Sequence, residues 1–211
     1  MSGAQRVGAV VLAAGASSRL GTPKQLLVHE GEPLVRRAAH AALAAGADPV
    51  LVVLGAEAPR VRAALDGLAG VHVVENERWA DGLASSLAAG VRALLVAAPV
   101  DAVLVTLTDQ PLVGAAELSA LLARFDDAHR IVAAEYAGTV GVPVVVGREH
   151  ADALLALSGD RGAGAWLRSQ GDRVAHVPMP AAAVDVDTPD DAARLAAGAS
   201  DAGHAGDARP S

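Results

Sequence analysis

The chain has 211 residues, is 52% hydrophobic but only 2% aromatic, and carries a formal net charge of −7. That length suits a single α/β domain with a core of Val, Leu and Ala; the acidic balance, with no basic cluster beyond pairs such as Arg36-Arg37, argues against a nucleic-acid surface and against docking on anionic lipid. There is no cysteine, which removes disulfides, thiolate nucleophiles and thiolate metal sites, and the histidines are scattered without a close pair at ligand spacing, so zinc is not expected.

In chain order, Val7–Ala13 is a short, nearly continuous apolar run with β-branched residues, the pattern of a parallel strand covered on both faces. The run follows Arg6 and superficially resembles a secretory leader, but a first strand explains it better. Residues 34–45 have helical propensity and stop at Gly46, a suitable C-cap. Strands at 49–55, 71–75, 102–108 and 131–136 alternate with helices at 59–68, 82–97 and 115–125, a βαβ rhythm. Residues 140–146 carry Pro143 inside an apolar run, which predicts an edge or irregular strand rather than a central one. Short helices are predicted at 149–157 and 163–169, and strands at 174–177 and 184–186. Thr188-Pro189-Asp190-Asp191 opens a last helix with an N-cap, a first-position proline and acids in the first turn. The expected organisation is one domain over residues 1–197 and a disordered tail over 198–211, rich in Ala, Gly, Asp and Ser. No apolar run reaches the length needed to cross a bilayer, and a soluble, cytoplasmic protein is expected.

The loop after the first strand carries the chemistry. It lies at the carboxyl end of a strand, the edge where open α/β sheets bind ligands. Gly15, Ala16, Ser17 and Ser18 are small enough to let backbone N–H groups approach an anion. Arg19 then offers a bidentate fork and Lys24 a point charge, a pair suited to polyphosphate. Gly21 is followed by Thr22-Pro23 before Lys24, so this is not a Walker A loop, and no G-x-G-x-x-G follows the strand.

The stretch L-A-A-G-A-S-S-R-L-G-T-P-K-Q-L-L from Leu12 to Leu27 closely resembles the signature of the MobA-like and MocA-like nucleotidyltransferases that make molybdenum cofactor dinucleotides. Further matches follow in order along the chain. V-T-L-T-D-Q-P-L around Asp109 is similar to the family's D-Q-P segment, and E-N-E-R-W-A-D-G-L-A-S-S-L-A-A-G to its N-x-x-W-x-x-G-M-x-x-S-L-x-x-G. V-D-V-D-T-P-D-D resembles D-I-D-T-P-E-D, and L-S-G-D-R-G-A resembles L-x-G-D-x-G-A-R. The resemblance implies a three-layer α/β/α fold of the nucleotide-diphospho-sugar transferase type with a mostly parallel sheet. It implies transfer of a nucleotidyl group from an NTP to an acceptor phosphate. Leu12, Ala13, Ala14, Gly15, Ser17, Ser18, Arg19, Lys24, Gly82, Ser86 and Asp109 would bind the nucleotide, with Lys24 on the α-phosphate and Arg19 on the departing pyrophosphate.

Asp109 ends a strand on the same sheet edge as the Gly15 loop. Beside a polyphosphate it suits Mg²⁺, which takes one or two carboxylates together with phosphate oxygens and water. If residues 184–186 are a strand, Asp185 and Asp187 share one face and Val184 and Val186 the other; Asp185 is assigned to Mg²⁺ and Asp187 to strand-end or capping work. Gly82 and Ser86 at a helix N-terminus suit a flat base and its polar edge, and Trp79 reads as an anchor more than a stacking platform. Ala14 in L-A-A-G, where guanylyl members carry L-A-G-G, points to CTP. Departures fall on the acceptor side: Val142 stands where the family has His and Gly164 where it has Arg, leaving Arg161 or Arg168 as the available replacement cation.

The leading expectation is therefore a CTP-dependent enzyme acting on molybdopterin, with a molybdenum hydroxylase apoenzyme as the recipient of the product. GTP or a sugar or polyol phosphate acceptor is the nearest alternative, because Pro23-Lys24-Gln25 also resembles the methylerythritol-phosphate cytidylyltransferases. A nicotinamide-dependent oxidoreductase or a non-catalytic nucleotide binder is more distant. The former lacks its glycine fingerprint, and the latter would not keep both acids.

Overall fold

The computed structural model describes residues 5–160 and 162–204, without the side chains of 198–204. β1 (Val7–Ala13) leads through a polar loop to a small hairpin, β2 (Val28–His29) and β3 (Glu32–Pro33), and then α1 (Leu34–Ala44). There follow β4 (Val50–Leu54), α2 (Ala58–Ala63), β5 (Val71–Glu75), α3 (Leu83–Ala97) and β6 (Ala102–Leu107). The second half holds α4 (Ala115–Arg124), β7 (Ile131–Tyr136), β8 (Thr139–Gly147), α5 (Ala151–Leu155), α6 (Ala163–Gln170), β9 (Ala175–Pro178) and α7 (Pro189–His204). Among the described residues no helix is long and apolar enough to cross a membrane.

The strands form one 7-stranded sheet in the order β5-β4-β1-β6-β8-β7-β9. β5, β4, β1 and β6 are mutually parallel, β8 is antiparallel to both its neighbours, and β9 returns parallel to β7. The pleat explains why β1 is apolar throughout. Ala9, Val11 and Ala13 enter a core shared with α1 and α4, whereas Val10 and Leu12 enter a second core shared with α3, α5 and α6. Every residue of β1 is buried, as expected of a strand between two helical layers.

Two expectations are corrected. β8 is not at an edge; it lies between β6 and β7. Pro143 is tolerated there because the β7–β8 register shifts at that point, Ala133 pairing with Val144 and Ala134 with Gly141, so the proline falls where no ladder donor is required. Residues 184–186 are not a strand. They follow a 3₁₀ turn at Pro180–Ala183 as irregular chain, and Val186 N donates to Asp109 O at 2.9 Å. Val186 is therefore 1% exposed and Val184 42%, which breaks the shared apolar face that alternation implied. α7 runs to His204, over the first residues of the expected tail, and residues 205–211 lie outside the described residues.

α3 lies unusually close to the sheet because Gly90 has no side chain: a Cβ there would meet Val10 Cγ1 at 2.4 Å and Val53 Cγ2 at 2.7 Å. Helix propensity alone favours Gly90→Ala by about 1 kcal/mol, while overpacking against two stiff valines costs about 1–3 kcal/mol. The clash should win. Gly90→Ala is expected to lower the urea midpoint with an unchanged m-value, and a raised midpoint would refute the close-packing explanation.

Candidate active site

Where β1 ends, the backbone carbonyls are tied to the protein. Leu12 O accepts from Thr108 N at 3.3 Å and Oγ1 at 3.2 Å, and Ala14 O accepts from Ala56 N at 3.1 Å. Gln25, only 1% exposed, donates its Nε2 to both Ala13 O (2.9 Å) and Gly15 O (2.8 Å). With the carbonyls engaged, the N–H groups of Gly15, Ala16, Ser17, Ser18 and Arg19 donate to no acceptor among the described residues. Such a row of free amides is an anion cradle. Ser17, expected to touch the nucleotide, builds the turn. It adopts φ 54°, its carbonyl accepts from Leu20 N and Gly21 N, and its Oγ accepts from Lys24 N at 3.0 Å.

Lys24 opens a 3₁₀ turn that aims its ammonium across the sheet edge. Nζ donates to Asp109 Oδ2 at 2.6 Å and to Asp187 Oδ1 at 2.9 Å. Burial would depress the Lys24 pKa, but the two carboxylates outweigh it and hold it above the ordinary value. Asp187 is held below the usual carboxylate range by the Lys24 hydrogen bond, against an opposing burial effect, with help from the charges of Lys24 and Arg19. Arg19 Nη2 lies 2.8 Å from Asp187 Oδ2. Asp109 Oδ1 is buried and has no hydrogen-bond partner among the described residues.

Asp187 reaches this cluster because the chain before it is fastened to the end of β6. Gln110 Nε2 donates to Val142 O (3.1 Å) and Ala182 O (2.9 Å), joining β8 and the 180–183 turn to the strand end. Val186 N then bonds Asp109 O, and Asp191 Oδ2 accepts from Asp187 N and Thr188 N. Asp185 makes no ion pair with Lys24 or Arg19. It lines a neighbouring cavity of about 520 Å³ with His29, Leu112, Val184 and Leu195. The protein packed around its carboxyl, and then the like charges of Asp109 and Asp187, raise its pKa to about 6.

The cluster forms one end of a cleft of about 620 Å³, within the range of small-molecule sites. Leu12, Ala13, Ala14, Gly15, Ser18, Arg19, Lys24, Gly82, Ser86 and Asp109 all line it, whereas Ser17, Asp185 and Asp187 do not. The other end is made by the start of α3. Gly82 has φ 104°, and a Cβ on it would meet Gly159 O at 2.6 Å and Asp160 Oδ1 at 2.7 Å, so only glycine lets the 157–160 loop close this wall. Ser86 is buried; its Oγ accepts from Asn76 Nδ2 at 3.0 Å. Its own proton has no acceptor among the described residues and can point into the cleft. Trp79 lies against Gly55, where a Cβ would stand 2.5 Å from Trp79 Cβ, and its ring side forms part of the cleft wall. On the acceptor side, Arg168 Nη1 lies 3.5 Å from where a Cβ on Gly164 would stand, so a guanidinium from one turn later covers that position. Arg161 lies outside the described residues.

Sequence reading missed Gln25, Thr108 and Asp160. A lone glutamine in the otherwise apolar Gln25-Leu26-Leu27 step was the available signal for the first. The other two lie inside the matched segments V-T-L-T-D-Q-P-L and L-S-G-D-R-G-A, which gave neither a role of its own.

A sheet edge with free amides, two cations and two carboxylates in mutual reach, beside a slot for a flat ring, has the parts that nucleotidyl transfer requires. The class it defines is a nucleotidyltransferase of the nucleotide-diphospho-sugar transferase fold. Comparison with known proteins narrows this: the model of the MobA-like NTP transferase domain matches residues 9–174, and the chain belongs to that family. It is 37% identical over 171 residues to nicotine blue oxidoreductase of Paenarthrobacter nicotinovorans, a match spanning 76% of this chain and 81% of that one. A nucleotidyl transferase from Methanothermobacter thermautotroptrophicus superposes with a TM-score of 0.79 at 28% identity, covering 93% of this chain and 99% of the other. Rv0371C from Mycobacterium tuberculosis H37Rv, solved in complex with manganese, superposes at 0.71 with 31% identity over 92% and 98% of the two chains.

The stapling role of Gln25 is testable. Gln25→Ala strands the buried Ala13 carbonyl and frees the part-buried Gly15 carbonyl, and is expected to cost roughly 1–3 kcal/mol, read as a lower urea midpoint. Ser18→Ala, which removes a side chain with no partner among the described residues, should stay within about 0.5 kcal/mol. Equal midpoints for the two variants would contradict the staple.

Proposed function

We propose that the protein transfers CMP from CTP to the phosphate of a molybdopterin-type acceptor, with release of pyrophosphate. The observation that carries this reading is the row of unused amides from Gly15 to Arg19 ending at the Lys24–Asp109–Asp187 cluster. An oxygen of the acceptor phosphate attacks the α-phosphorus, a new P–O bond forms, and the bond to the β-phosphate oxygen breaks with its electron pair leaving on pyrophosphate. The nucleophile is already anionic, so positioning and charge neutralisation suffice and no general base is needed. The loop amides hold the phosphates, Lys24 meets the charge that grows on the α-phosphate, and Arg19 meets the leaving pyrophosphate.

Residues suited to a divalent ion are present. Asp109 has a buried oxygen with no partner among the described residues, and Asp109 and Asp187 already share a cation, the Lys24 ammonium. Among the described residues no cluster of three or more His, Cys, Asp or Glu could hold a metal; Asp109 and Asp187 would hold Mg²⁺ and leave its other positions to phosphate oxygens and water. Bound there, the ion supplies charge neutralisation. Asp187 is preferred to Asp185 for this part because it already shares the Lys24 ammonium with Asp109, while Asp185 stands near enough for the charges of Asp109 and Asp187 to raise its pKa.

The base slot supports a pyrimidine. Ala14, buried in the wall formed with Trp79, Gly82 and Ser86, narrows it by one methyl group, an effect of about 1–3 kcal/mol. Product would pass to a molybdenum hydroxylase apoenzyme in the cytoplasm. A second reading comes from the oxidoreductase relative: the same cleft could take a nicotinamide nucleotide.

Pyrophosphate release with CTP, GTP and ATP in turn, with Mg²⁺ and molybdopterin, tests the reading. CTP is expected to be preferred, Asp109→Ala to abolish release, and Lys24→Ala to lower kcat/KM by roughly 10²–10³. NAD(P)H oxidation without pyrophosphate would replace this reading with the second. Ala14→Gly should shrink the preference for CTP over GTP by about tenfold or more; an unchanged ratio would remove Ala14 as the discriminator.

A further inference from the structure

Four charges from three remote segments meet at the end of the cleft. Lys24 Nζ sits between Asp109 Oδ2 (2.6 Å) and Asp187 Oδ1 (2.9 Å), and the second oxygen of Asp187 takes Arg19 Nη2 at 2.8 Å. The side chains of Lys24 and Asp109 are 15% and 21% exposed, so these attractions are only partly screened. The two cations and two carboxylates cancel. The groups that phosphates need are thus already bonded to the groups that a metal needs.

A divalent ion arriving alone would have to evict the ammonium from both carboxylates and leave it without a partner. A triphosphate arriving alone would meet cations already neutralised, with carboxylates beside them. Arriving together, each satisfies what the other releases: the metal takes the carboxylates and the phosphates take Lys24 and Arg19. Lysine is suited to this exchange because its charge rides on a flexible four-carbon stem. Its backbone need not move, being held by Lys24 N to Ser17 Oγ at 3.0 Å and Leu27 N to Lys24 O at 3.1 Å.

We propose that Lys24 is a resident cation in the metal position, bridging Asp109 and Asp187 in the resting protein, so that divalent metal and nucleoside triphosphate bind as a coupled pair. The proposal rests on the assignment of Asp109 and Asp187 as the metal carboxylates. Coupling of this kind is reciprocal: whatever factor the metal adds to nucleotide affinity, the nucleotide adds to metal affinity.

Mn²⁺ binding to the full chain without nucleotide, followed by electron paramagnetic resonance, tests it directly. Lys24→Met is expected to bind Mn²⁺ about tenfold or more tighter than wild type, because the competing ammonium is gone; equal affinity in a variant with a native circular dichroism spectrum overturns the proposal. Wild type gives an independent measurement. The affinity for a non-hydrolysable CTP analogue, read from tryptophan fluorescence, should rise at least about fivefold when Mg²⁺ replaces EDTA, and no change overturns the coupling. Adding Asp187→Asn to Lys24→Met should abolish the gained Mn²⁺ affinity. Retention of that affinity would refute the placement of metal on Asp187, and the proposal with it, while leaving nucleotide binding at the loop untouched.

Discussion

One buried amide decides which way the first loop faces. Gln25 donates to the carbonyls of Ala13 and Gly15, and with Ala56 and Thr108 engaging Ala14 and Leu12, every carbonyl around the strand end is turned inward. The amides of the next residues then face the cleft. A peptide unit cannot aim both its dipole ends at the same place, so an anion site made of backbone needs an interior acceptor-binding group of this kind. Gln25 lies one residue from Lys24, so the device that orients the amides also fixes where the ammonium starts.

The C-terminal part of the chain is brought to this edge by a second glutamine. Gln110 bonds β8 through Val142 O and the 180–183 turn through Ala182 O, and the backbone of Asp109 receives Val186 N. The residue that bonds Lys24 is therefore set by backbone hydrogen bonds upstream of it, and it is Asp187 that arrives there. Helix α7 begins directly afterwards, with Thr188 and Asp191 bonded to each other at 2.7 Å, which stops Asp187 from drifting away from the cluster.

Much of this was legible in the residues. β1, the small-residue loop, Arg19, Lys24 and Asp109 were readable because each is a local signal: an apolar run, a glycine and serines after it, cations within one loop, an acid at a strand end. Which of Asp185 and Asp187 would bond Lys24 was not, because alternation applies only if the segment is a strand, and its conformation is set by bonds to Asp109 that have no local signature. Pro143 misled for a related reason: the rule confining proline to edges is a rule about missing donors, and a register shift in the partner strand removes the need for the donor. The hairpin Val28–His29 with Glu32–Pro33 was invisible because two-residue strands are too short to show a period.

The cancellation of charge at the cleft also bears on how a substrate finds it. Many enzymes with anionic substrates draw them in with a positive field that reaches beyond the Debye length, about 8 Å at physiological ionic strength. Here Arg19 and Lys24 are neutralised at contact distance by Asp187 and Asp109, and the molecule as a whole is acidic. The site therefore has little long-range pull on a triphosphate. Capture falls to short-range contacts made after encounter, and selectivity among anions is exercised at the threshold rather than in the approach.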